Sequence, residues 1–355
     1  MLGKVYYVTT PLDFFMVFFL LGALISCYNS LYLGRSLYMM AALLLLFATY
    51  QITYHFLDEK RKINTVIIVL FLSSTVVSIY GIWQYIMHIL GKGGRVFFHH
   101  SAFGDLVPKI ESVSTPNQFG SYLLISIPLI LALLFYEKKI VKKAILITIA
   151  LINLSALFLT YSRGSILGLF FALAVLFFYQ KRKMRKLLKI TLVILLLIVV
   201  LNLLIDWQSL NMRMTSMLDF TSEANQERIA LHRAALLMIS EHPIIGVGIG
   251  NFRFLFSQER PIDVHNTLLS IWVETGIIGI SFCFCMLVIF FRSLRKALTV
   301  TEDSYWKNLI LGFMASATGI FVQSLTEYLL YAMHIWFFLG IGLAIARVSR
   351  ESEMA

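Results

Sequence analysis

Long apolar segments recur along almost the whole chain, and they restrict the folds it can adopt more than any other feature. A helix needs about 20 apolar residues to cross a bilayer. Ten stretches approach that length, at about 13–29, 36–56, 63–90, 118–136, 144–160, 165–180, 190–206, 265–291, 308–331 and 333–348. Since 59% of the residues are hydrophobic and only 14% are charged, a soluble protein is excluded. The sequence predicts an all-α polytopic membrane protein, with residues 1–355 forming a single membrane domain of about ten to twelve transmembrane helices.

Basic residues indicate how these spans are oriented. Two thirds of the 30 lysines and arginines fall in alternate connections, mainly at 60–62, 138–143, 181–189 and 292–307. Because cytoplasmic loops are enriched in basic residues, we expect these connections and both termini to lie in the cytoplasm. The net charge of +11 is then a topology signal, and we expect contacts with membrane lipids and no nucleic-acid partner.

The largest segment between spans is a predicted outer loop at 207–262. Within it, 226–242 is expected to form a helix that ends at Pro243, with Arg228 and His232 on one face because they are four residues apart. The run Gly246-Val-Gly-Ile-Gly250 follows this helix and not a strand, so it does not indicate a nucleotide site. Its glycines are expected to let the chain turn closely against the helix bundle.

The loop leads into residues 263–280, where a polar start passes into an apolar span. Asp263 is expected to cap the helix, which would put His265 in the first turn. His265, Trp272, Gly276 and Gly279 would then share one helix face, whose small residues allow another helix to approach. The pattern predicts a titratable imidazole at a membrane surface, above a tightly packed seam.

Two charged residues lie at or within apolar segments. Arg163 is in the hairpin 160–165 between two spans, where an arginine is costly unless it is paired or reaches the interface. Glu274 lies roughly 13 Å deeper than His265, so we expect it to be protonated, paired or hydrated. Glu327 and His334 are candidate partners.

Taken together, these residues resemble the O-antigen ligase and polymerase superfamily of bacterial membrane glycosyltransferases. The ligase-type signature is His, then Asn, Ser or Gln, nine residues, Gly, two residues, then Gly, Thr or Tyr, and it is similar to His265-Asn266, Gly276 and Gly279. A second family element, Arg-x-x-x-Leu, is similar to 163–167. A third joins an arginine early in the outer loop to His-Pro-x-x-Gly-x-Gly-x-x-Asn-Phe; here these are Arg228 and 242–252. The resemblance covers about 110–345.

The resemblance implies a fold like that of the GT-C glycosyltransferases and a multi-pass protein of the bacterial inner membrane, active on its periplasmic side. The implied donor is a glycan on undecaprenyl diphosphate, and the acceptor is a sugar hydroxyl. Arg163, Arg228 and His265 are the implied catalytic residues; Arg163, Arg228, His232, Arg233 and Asn266 are the implied substrate-binding residues. No cofactor or metal is expected, because no acidic pair or Asp-x-Asp motif occurs in the predicted outer segments. A single-step attack would invert the anomeric centre.

Three functions fit this sequence to different degrees. A ligase would move the glycan to lipid A–core, and the His-Asn signature favours this reading. A polymerase would move it to another carrier-linked repeat unit, with the same donor and leaving group. A transporter or flippase would need polar groups near the bilayer centre and repeated halves. Here the polar residues gather at one predicted surface, so we expect a transferase.

Overall fold

The computed structural model describes residues 9–100, 106–109, 115–180, 223–259 and 261–354, and most of these are helical. A 3₁₀ turn at Cys27–Asn29 follows the first helix. The α-helices are α1 (Asp13–Ser26), α2 (Leu33–Phe56), α3 (Lys60–Ile89), α4 (Pro116–Tyr136), α5 (Ile140–Leu159), α6 (Arg163–Tyr179), α7 (Glu223–Glu241), α8 (Phe252–Phe256), α9 (Thr267–Val300), α10 (Ser304–Ser324) and α11 (Met333–Met354).

Six of the described helices are long and apolar enough to cross a membrane, namely α2, α3, α4, α5, α9 and α11. Two shorter apolar helices, Asp13–Asn29 and Arg163–Tyr179, correspond to predicted spans at 13–29 and 165–180. Helix α10 corresponds to the span predicted at 308–331 but ends at Ser324. The span predicted at 190–206 lies outside the described residues. The all-helical membrane class is therefore confirmed, and the count of ten to twelve spans remains a prediction.

The chain divides into two compact units. Unit 1 comprises residues 1–64, 231–302 and 328–355, and unit 2 comprises 65–230 and 303–327. In unit 2, α10 packs against both α4 and α6, and residues 309–317 of α10 are all buried. Gly168 and Gly319 let α6 approach α10, because a Cβ at Gly168 would lie 2.5 Å from the Gly319 carbonyl oxygen.

Unit 1 is built from helix pairs that also depend on small residues. Helix α1 packs along α9, and α11 packs against both α2 and α9. A Cβ at Gly22 of α1 would lie 3.0 Å from the Ile278 side chain and 3.6 Å from the Gly279 backbone nitrogen. The close helix approach expected at Gly279 is therefore present, and α1 provides the partner surface.

Among the described residues, one short pair of β-strands lies between the helices α3 and α4. Strands β1 (Phe97–His100) and β2 (Leu106–Lys109) pair antiparallel, with Phe97 opposite Lys109. Phenylalanine and valine favour strands, and Pro108 is tolerated because a two-stranded sheet has free edges.

Candidate functional site

The hairpin that carries Arg163 forms as the sequence predicts, within unit 2. Helix α5 ends at Leu159, and α6 begins at Arg163. Ser162 is the N-cap of α6, because its hydroxyl accepts a hydrogen bond from the backbone N–H of Ser165. A Cβ at Gly164 would lie 2.1 Å from the Thr326 hydroxyl oxygen, so only glycine lets the chain pass here. Arg163 is thus fixed at the start of α6 with its side chain exposed.

Arg163 extends toward the first turn of α7. One guanidinium nitrogen donates to the Asn225 side-chain oxygen at 3.0 Å. Arg228 lies three residues beyond Asn225, on the same face of α7. Neighbouring atoms partly desolvate the guanidinium and Arg228 adds a positive charge nearby, and both effects lower the pKa of Arg163. The structure therefore brings two of the three predicted catalytic residues within electrostatic range of each other.

A polar cluster that the sequence did not predict as a group lies beside this hairpin in unit 2. The side-chain amide of Asn117 donates to the Glu327 carboxylate at 2.6 Å. Gln323 is fully buried and donates to the Asn117 backbone carbonyl at 2.7 Å. These bonds tie the start of α4 to the end of α10, next to Thr326 and therefore next to Gly164. Three neighbouring apolar segments each have polar residues at one end, and this pattern in the sequence could have predicted the cluster.

His265 lies in unit 1 and has an unusual backbone conformation. Its φ is +55°, in the left-handed region, and it precedes α9 instead of lying in the first turn. The expected cap at Asp263 is wrong. Asn266 is the N-cap, because its side-chain oxygen accepts from the Leu269 N–H at 3.0 Å. Asp263 is too far from the first turn and lies 3.8 Å from the Arg253 Nε.

The expected helix face from His265 to Gly279 is interrupted, because α9 breaks at Gly276. This glycine has φ +64° and ψ −164°. The carbonyls of Val273 and Glu274 would accept from residues 277 and 278 in a regular helix. Here they accept instead from the N–H groups of Val247 and Gly248, at 3.0 and 3.1 Å. The glycine-rich segment 243–250 thus supplies the hydrogen bonds that the break removes.

The hydrogen bonds between the glycine-rich segment and α9 run in both directions. Ile277, just past the break, donates its N–H to the Pro243 carbonyl at 2.9 Å. A Cβ at Gly276 would lie 2.2 Å from the Ile244 carbonyl oxygen, and one at Gly246 would lie 2.5 Å from the Glu274 backbone. The two backbones can touch only because both positions are glycine. The expectation that segment 246–250 turns closely against the bundle is confirmed.

Glu274 is buried beside the break, with 4% of its surface exposed. Its carboxyl group accepts backbone hydrogen bonds from Gly250 and Phe252, and the Tyr328 hydroxyl lies 3.5 Å away. Burial and Glu274 together raise the pKa of Tyr328 well above its usual value. Glu274 is paired as expected, and its partners are backbone groups and a tyrosine.

His232 and Arg233 lie on the part of α7 that belongs to unit 1. The neighbouring Leu231 and Ala235 are fully buried in a cluster that also contains Val264. His232 is half-buried and Arg233 is exposed. The predicted residues thus fall into two groups, Arg163 with Arg228 in unit 2 and His232, Arg233, His265 and Asn266 in unit 1.

Comparison with known proteins bears on these residues directly. Residues 148–284 match a family model described as O-Antigen ligase. This range contains all six predicted site residues, the glycine-rich segment and the break in α9. A search of curated proteins found no match. The match over 148–284 supports the resemblance to the O-antigen ligase and polymerase superfamily that the motifs indicate.

Proposed function

We propose that the protein transfers a glycan from undecaprenyl diphosphate to an acceptor sugar hydroxyl, as an O-antigen ligase with lipid A–core as the acceptor. The reaction takes place on the outer face of the inner membrane, and both termini are cytoplasmic. The observation that carries this proposal is the pair Arg163 and Arg228, held close together within the region that matches the O-antigen ligase family.

Two neighbouring guanidinium groups suit a diphosphate. Like charges held together disfavour each other, and a bound anion relieves that repulsion. Each guanidinium can offer two parallel N–H donors to phosphate oxygens. We propose that Arg163 and Arg228 bind the diphosphate and stabilise the negative charge that develops on it as it leaves.

The remaining step needs a proton acceptor. The acceptor hydroxyl attacks the anomeric carbon, a new C–O glycosidic bond forms, and the bond to the diphosphate oxygen breaks. Undecaprenyl diphosphate leaves with the bonding electron pair, and His265 takes the hydroxyl proton. An imidazole titrates near neutral pH, which suits it to this role. One displacement inverts the anomeric centre, and no metal is required. We assign acceptor contacts to His232, Arg233 and Asn266.

An in vitro transfer assay tests the proposal. Purified protein is given an undecaprenyl diphosphate-linked glycan and two acceptors, lipid A–core and a carrier-linked repeat unit, with a chelator present. A single glycan on lipid A–core is the expected product. A ladder on the carrier would instead establish the polymerase of the same superfamily. Activity that disappears with chelator would reject the metal-independent chemistry.

A transporter or flippase is the alternative from another class. It predicts no product with either acceptor, together with movement of the carrier-linked glycan across reconstituted vesicles. Loss of product in the His265→Asn protein, with donor binding retained, supports transfer chemistry, since a transporter does not need a proton acceptor.

A further inference from the structure

A cavity of about 500 Å³ lies at the start of α2, within unit 1. Its walls are the first turn of α2, the residues just before it and one aromatic ring from α8: Leu31, Tyr32, Leu33, Gly34, Arg35 and Phe254. Arg35 is the charged residue among these six. Gly34 has no atom within 4 Å of an added Cβ, so the cavity is open on that side.

Arg35 is held in place without a hydrogen-bond partner at its Nε. Its side-chain stem packs against Gly250, and its guanidinium carbon lies 5.2 Å from the Tyr38 ring centre and 5.7 Å from that of Phe254. The Nε is buried and, among the described residues, makes no hydrogen bond. A buried N–H of a charged group without an acceptor is costly, so an absent acceptor is a natural explanation.

The neighbouring Arg253 also has a buried Nε that makes no hydrogen bond among the described residues, but unlike Arg35 it has a carboxylate and a carbonyl beside its guanidinium. One of its terminal nitrogens donates to the Pro261 carbonyl at 3.1 Å, and its Nε lies 3.8 Å from Asp263. Arg35 has no carboxylate within 4 Å among the described residues. Tyr331 adds a second buried donor near Arg35, since its hydroxyl also makes no hydrogen bond among these residues. Burial raises the pKa of Tyr331 and the positive charge of Arg35 opposes that rise.

The position of the cavity points to an amphiphilic occupant. Helix α2 is a candidate membrane span, so its first turn lies at one end of the span, at the level of lipid head groups. Apolar side chains around the opening are exposed, with Leu31 at 78%, Leu33 at 52% and Leu37 at 53%. An occupant with a negative head and an apolar tail would satisfy both the arginine and this surface.

We propose that this cavity binds the phosphate group of a membrane lipid, with the Arg35 guanidinium donating to phosphate oxygens and the lipid tail lying along the exposed face of α2. The Tyr32 side chain does not cap α2, so N–H groups of the first turn can add to the anion binding. The phosphate can come from an anionic phospholipid or from a polyprenyl phosphate. The proposal does not depend on the transferase function.

The test is a lipid titration of the detergent-solubilised full-length protein by native mass spectrometry, with phosphatidylglycerol, undecaprenyl phosphate and phosphatidylcholine. We expect tighter binding of at least one of the two anionic lipids than of phosphatidylcholine. Arg35→Gln should weaken that binding about tenfold, since a hydrogen bond to a charged group is lost. Arg95→Gln is the matched control, because it removes the same charge from an exposed position outside the cavity.

A second variant protects the test against misfolding of Arg35→Gln. Gly34→Glu places a carboxylate at the cavity in the first turn of α2, where there is open space and acidic residues are favoured. It should weaken anionic-lipid binding and leave phosphatidylcholine binding unchanged. Selective binding of an anionic lipid that at least one of the two variants weakens supports the proposal and identifies the source. Equal binding of all three lipids, or unchanged binding in both variants, overturns it.

Discussion

At the scale of single residues, the structure gives individual arginines different bonding partners, which the sequence alone does not distinguish. Arg253 bonds to the chain around it, whereas Arg163 bonds to a neutral amide and lies near a second cation, Arg228. The hairpin position of Arg163 was predictable from its place between two apolar segments. Its proximity to Arg228 was not, because residues 164–227 separate the two along the chain and only the fold decides which ends meet.

The arginine pair leads to a first prediction. Arg163→Ala and Arg228→Ala should each lower the transfer rate about 100-fold or more, since one lost donor to developing charge costs about 3–4 kcal/mol. Lysine at either position should recover only part of the rate, because it lacks the planar fork. Initial rates with the lipid-linked donor give the comparison, with Arg95→Ala as the control. A rate within about threefold of wild type would remove that residue from the proposed site.

His265 requires a variant that respects its backbone. Because φ is +55°, replacement by most residues would add strain, whereas asparagine tolerates this region. His265→Asn should therefore fold normally, bind the donor and lose turnover. Unfolding temperature, donor affinity and transfer rate are measured on the same preparation. Unchanged turnover would show that another group accepts the proton.

At the scale of elements, regular helices were more predictable than their interruptions. The helix expected at 226–242 is α7, Glu223–Glu241, because its apolar residues and the following proline define both its face and its end. The break at Gly276 was missed, since a glycine within an apolar segment looks the same whether its φ is negative or positive. The sequence feature that could have predicted the break lies 30 residues earlier, in the glycines of 246–250. These glycines are needed because another backbone contacts them.

The break provides a prediction with a matched control in the same chain. Gly276→Ala should lower the stability of the protein by at least about 2 kcal/mol, because the left-handed φ is strained for alanine and the added carbon meets the Ile244 carbonyl. Gly34→Ala should leave stability unchanged or raise it, since its surroundings are open and alanine favours helix. Thermal unfolding in detergent measures both. Equal unfolding temperatures for the two variants would contradict the observed backbone contact.

At the scale of the whole molecule, composition was enough to predict a helical membrane protein. Hydropathy alone could not fix the spans. Helix α10 is almost wholly buried in unit 2 yet carries Asn308, Ser316 and Gln323, so packing between helices and not contact with lipid sets its composition. The division into two units was not predictable either, because each unit combines segments that are distant in the chain.

Orientation can be tested on the intact chain. Lys92 follows α3 and Lys138 follows α4, and the distribution of basic residues puts them on opposite sides of the membrane. In a variant whose three native cysteines are replaced, Lys92→Cys should react with an impermeant maleimide added outside the cytoplasmic membrane. Lys138→Cys should react only after that membrane is permeabilised. The reverse pattern would move the proposed site to the cytoplasmic side.

The broken helix α9 also has a consequence for how the protein is made. The segment that bonds to the carbonyls of Val273 and Glu274 lies at 243–248, earlier in the chain than the break. Asn29, which donates to the Gly246 carbonyl at 2.9 Å, is earlier still. During synthesis from the N-terminus, each partner of the break is therefore present before α9 leaves the ribosome. Backbone groups left unpaired at the break would be costly in lipid. They can form their hydrogen bonds as soon as α9 is made, before the C-terminal helices are present.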